Sequence, residues 1–68
     1  MTFNDVLNAL KALANEAAKG DYEIAHILED ELLANVLSEI ASGECSDPVA
    51  YARKALECKD MKFKRWYA

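Results

Sequence analysis

The stretch KGDYEIAHILEDELLANVLSEIASG, residues 19–43, decides the fold. Lys19 and Gly20 form a helix stop, because glycine takes the left-handed conformation that a C-terminal cap requires. Asp21 follows at once and can cap a new helix. A connection this short folds two helices back on one another as an antiparallel hairpin. The second helix is expected to run to about Ser42, where Gly43 ends it by the same device. Placed every 100° around that helix, Tyr22, Ala25, Leu28, Leu32, Leu33, Val36, Leu37 and Ile40 share one broad face. His26 and Glu29 fall inside it, Glu23 and Asp30 at its edge, and Glu31 and Glu39 further towards water.

Upstream, Thr2 with Asp5 three residues later reads as a capping pair for the first helix. From there Phe3, Val6, Leu7, Leu10, Leu13, Ala14 and Ala17 recur at helical spacing. Downstream, Asp47 is a cap and Pro48 stands at the first helical position, where its missing amide costs nothing. The resulting helix, PVAYARKALECK, has a thinner stripe of Val49, Ala52, Ala55 and Leu56. Asp60 then leads into MKFKRWYA, read as a helical turn or a docked aromatic tail, since free Phe and Trp would leave an apolar patch in water. No segment has strand periodicity. The reading is one all-α domain over residues 1–68: an antiparallel helix hairpin, a third shorter helix and a C-terminal turn or tail.

A chain of 68 residues buries only about 60% of the surface that its unfolded form exposes. Without disulfides or metals, such chains gain burial by associating, so a homodimer is expected. The composition, 53% hydrophobic with two glycines and one proline, is that of a folded domain. The N-terminus lacks the basic start and apolar run of a signal, and nowhere do eighteen apolar residues stand together, so a membrane span is not expected. Cys45 and Cys58 are too few for a disulfide scaffold and are not spaced as zinc ligands. A helix from Pro48 to Cys58 would rise about 15 Å, beyond the ~7 Å limit for a bridge. Both are read as reduced, in a cytoplasm.

Charge divides the chain. Residues 1–47 carry Lys11 and Lys19 against ten acids, net −8; residues 48–68 carry six Lys and Arg against Glu57 and Asp60, net +4. The basic end is expected to lie against the acidic helix of its own chain or of a partner subunit. A sequence pI near 4.8 argues against nucleic acid as a partner.

The polar cluster inside the apolar face is the candidate site. An unpaired buried carboxylate costs several kcal/mol, so Glu29 must be partnered, protonated or facing a cleft. His26 lies one turn away, and Arg65 can meet a carboxylate with two parallel bonds while Trp66 brings it onto the apolar face. One reading makes His26, Glu29, Asp30, Arg65 and Trp66 an internal latch; another makes them a binding site. A third spaces Glu23, His26 and Asp30 at i, i+3 and i+7 as metal ligands of a hydrolase, although helical two-metal sites draw acids from at least two helices. A fourth has Lys62, Lys64 or Arg65 hold a small anionic ligand such as a nucleotide, with Trp66 or Tyr67 stacked on its base. No catalytic residue and no cofactor are assigned: glycine-rich phosphate loops are absent, and nothing in the sequence places a nucleophile beside the histidine.

AHILEDELL, the IASG helix end and the terminal FKRWYA together resemble a group of very short helical proteins of phage and prophage genomes, which carry an AHxxEDxL helix and a C-terminal FxRW(Y/C)A. The resemblance covers residues 21–43 and 60–68. It implies that His26, Glu29, Asp30, Phe63, Arg65 and Trp66 belong to one unit. No activity comes with it. The expected role is that of a small non-enzymatic protein that binds and modulates a host protein or defence component.

Overall fold

The computed structural model describes residues 1–63. Helix α1 spans Phe3–Ala18, α2 Tyr22–Ala41 and α3 Pro48–Ala55, followed by a 3-10 turn over Leu56–Asp60; the described residues contain no strand. Helices α1 and α2 pack along their length as a hairpin, and α3 lies against both. The start of α1 meets the end of α2, where the Met1 ammonium sits 3.0 Å from Glu39 Oε1, so the two helices are antiparallel.

Local chemistry accounts for the ends. At the head of α1 the Asp5 amide donates to Thr2 Oγ1 at 3.2 Å and the Thr2 amide donates to Asp5 Oδ2 at 2.7 Å, a reciprocal capping box. Gly20 and Gly43 follow the first two helices with φ of 81° and 78°, a region in which a side chain would be strained. Asp47 accepts the Ala50 amide at 3.1 Å and Pro48 opens α3. Asp21 departs from expectation: it stands at the N-cap of α2 without a side-chain cap bond. Its carbonyl accepts from the Ala25 amide at 3.0 Å, the first bond of the helix.

The core joins Val6, Leu10 and Leu13 of α1 to Leu32 and Val36 of α2 and to Tyr51, Ala55 and Cys58. Three expectations about its membership are corrected. On α3, Val49 and Leu56 are exposed, whereas Tyr51 is buried with its ring edge-on to Phe3 at a centroid distance of 5.7 Å. The helix presents the i, i+4, i+7 row Tyr51, Ala55, Cys58 to the core, and the bulk of tyrosine decides the rotation. On α2, Leu37 is 67% exposed, because α3 is two turns long and its alanines do not reach over that edge. On α1, Phe3 and Ala14 of the expected stripe are exposed. Cys45 and Cys58 are not bridged. The helix PVAYARKALECK ends as α-helix at Ala55 and tightens into the 3-10 turn.

Glu39, placed towards water by its helical angle, is half-buried by its contact with Met1. The ammonium, near the C-terminus of α2, also meets the negative end of the helix dipole. The hydrogen bond to Glu39, and then the charge of Glu39, raise the Met1 amine above its usual value near 8.0. A group whose folded value is raised contributes stability that is present below its unfolded value and lost as pH climbs through the folded one. Protein with a free Met1 amine is therefore expected to lose a part of its thermal stability above pH 8 that Glu39→Gln lacks from the start. Melting curves of the two at pH 7 and pH 9.5 check this: their difference should shrink at the higher pH.

Candidate functional site

The site is built on the middle of α2. Glu29 follows Ala25 by one turn on the face that packs inwards, and its residue exposure is 0%. The 3-10 turn supplies its partner. As α3 tightens after Ala55, Cys58 drops into the core and the next residue, Lys59, is set over α2. Lys59 Nζ donates to Glu29 Oε1 at 2.8 Å, while the Lys59 side chain keeps 49% of its surface exposed. The buried carboxylate is thus held by a cation whose stem lies on the protein and whose head reaches water.

His26 and Asp30 flank this pair on the same helix. His26 Nε2 lies 3.6 Å from Asp30 Oδ2, one turn on, a charge contact when the imidazole is protonated and longer than a hydrogen bond. Asp30 itself is exposed. Past the turn the chain runs extended at Met61 and lays the Phe63 ring on Tyr22, centroids 6.3 Å apart and planes within 21°. Residues 59–63 therefore cross the acidic helix, and Phe63 docks at the start of α2, one turn from His26.

Of the expected cluster, the structure brings His26, Glu29 and Asp30 to one edge of α2, with Glu29 inside and Asp30 outside. Arg65 and Trp66, like Lys64 and Tyr67, lie outside the described residues. Among the described residues the cation on Glu29 is Lys59, which the sequence reading does not name: the lysine is brought over Glu29 by a change of helix type that no residue of LECKD announces. Lys62 is exposed. Among the described residues no group of three or more His, Cys, Asp or Glu converges as a metal site would require, so Glu23, His26 and Asp30 do not assemble as a ligand set. No described helix is long and apolar enough to cross a membrane.

Chemically, the arrangement is a compensated charge. A carboxylate closed off from water and already bonded to a lysine is suited to fixing the 3-10 turn on α2. No protein-family model matches this chain, and no curated protein or solved structure matches it.

Proposed function

We propose that this chain is a non-enzymatic interaction protein of the small phage-encoded kind that its motifs resemble, and that it holds a host protein against the outer face of α2. The supporting observation is the make-up of that face. Helix α2 contains Glu23, Glu29, Asp30, Glu31 and Glu39 and neither lysine nor arginine. Glu29 is spent on Lys59 and Glu39 on Met1, whereas Glu23, Asp30 and Glu31 stand in water around Ile24 and Ile27, themselves close to half exposed. An apolar pair ringed by acids fits a basic surface with a shallow apolar pocket: the charges speed and orient the encounter and the isoleucines anchor it. In this reading the Glu29–Lys59 latch is structural, and the work is done in the cytoplasm of the host.

Capture of host proteins from lysate tests it. Glu31→Lys and Ile27→Ala change exposed side chains and should leave the helical circular dichroism unchanged. Each is expected to cut capture of the partner by about tenfold, and the wild-type yield should fall as salt is raised. Capture indifferent to both substitutions would sink the proposal.

A further inference from the structure

Between α2 and α3 runs a groove of about 290 Å³. Its walls are Leu33, Leu37 and Ile40 on one side and Ala52, Ala55 and Leu56 on the other. Every lining side chain is apolar, and α1 contributes none of them. The recess exists because α3 offers alanines where α2 offers leucines. Leu37 and Leu56 rise from its two rims, 67% and 57% exposed, with Val49 beside them on α3 also more than half exposed.

Size and chemistry narrow the occupant. Small-molecule sites span about 300–1,000 Å³ and orient their ligands with a few polar groups; this groove is at the lower bound and has no such group. It is shaped for apolar side chains. The same surface carries both halves of a fit, leucine knobs on the rims and an alanine-floored hole between them, which is what a two-fold contact needs, since each residue of the patch must find its counterpart on an identical patch. A two-fold axis running along the groove sets the leucine wall of each copy against the alanine wall of the other. The molecule is also thin on one axis, with extents of 35 × 24 × 16 Å, the shortest not much above one interhelical spacing of 8–10 Å.

We propose that a second copy of this chain fills the groove, giving a symmetric dimer in which α2 of one protomer lies against α3 of the other and Leu37 enters the partner's alanine recess. This face is distinct from the one bearing Ile24 and Ile27, so the dimer and host binding stand or fall separately.

Sedimentation equilibrium on the full chain, from micromolar to millimolar concentration, tests it. Wild type should approach twice the 7.6 kDa chain mass. Leu37→Lys should weaken association by about tenfold or more, because every substitution counts twice in a two-fold interface. Ile27→Lys, on the other face, should leave it unchanged. Should Leu37→Lys lower the helical dichroism, Leu56→Lys repeats the test from the opposite wall. A wild type that stays monomeric throughout, or rim variants that associate like wild type, would overturn the proposal, as would loss of association in Ile27→Lys alone.

Discussion

Tyr51→Ala is expected to remove about 3–5 kcal/mol of stability, the usual cost of emptying a buried aromatic site. Tyr51 is 4% exposed, stacks edge-on against Phe3 and donates its hydroxyl to the Met1 carbonyl at 3.4 Å. It therefore ties α3 to the start of α1. At roughly 0.05–0.15 kcal/mol per residue, a chain of this length has about 3–10 kcal/mol in all, so the variant should be partly or wholly unfolded at 37 °C. Tyr51→Phe keeps the ring and loses one long hydrogen bond; it should cost under about 1 kcal/mol. Urea titrations followed by circular dichroism, at one fixed protein concentration, separate the two. A midpoint for Tyr51→Ala close to that of Tyr51→Phe would mean that the ring is not a structural anchor.

That anchor was not visible in the sequence, and the reason is instructive. Most local signals are legible: Thr2 with Asp5, Gly20, Gly43, and Asp47 with Pro48 all end or begin helices where expected. Asp21 is the exception, standing at the N-cap of α2 without a side-chain bond. The rotation of a helix is harder to read. Helices α1 and α2 are long enough for their apolar spacing to fix the buried direction, and Val6, Leu10, Leu13, Ala25, Leu32 and Val36 are buried as read. Helix α3 has two turns, too few for Val49, Ala52, Ala55 and Leu56 to outweigh the alternative row through Tyr51, and tertiary packing chose the latter. Leu37 shows the complementary limit: the helical wheel gives the angle at which a side chain leaves its own helix, and only the length of the neighbour determines whether anything covers it.

The candidate site divides in the same way. That Glu29 sits among leucines follows from its helical angle, and the need for company follows from the cost of burying charge. The identity of that company does not follow, because six cations stand downstream of Pro48 and the choice among them depends on where the chain tightens. Charge asymmetry between the two parts of the sequence points to a cation of the basic part on α2, and Lys59 on Glu29 is one such contact; it does not give the residue.

Removing the two ends of the Glu29–Lys59 pair is expected to have unequal effects. Lys59→Met leaves a fully buried carboxylate without the cation that lies 2.8 Å from it. Breaking a buried pair in this way costs about 3–5 kcal/mol, and since half of the Lys59 side chain is in water a cost of about 2–3 kcal/mol is expected. Glu29→Met removes the charge that needs shelter and puts an unbranched apolar side chain of similar length among Ala25, Leu32 and Val36, while the Lys59 head keeps its access to water. Its effect should lie within about 1 kcal/mol of zero, in either direction. The double variant should then resemble Glu29→Met, a coupling of more than about 1 kcal/mol between two residues that belong to one interaction. Denaturant titrations of the four proteins give this cycle directly. Equal losses in the two single variants, or additivity in the double, would show that the lysine does not serve to offset the buried charge; the pair would then be a contact of convenience, and the latch would have to rest on the packing of Cys58 and Phe63.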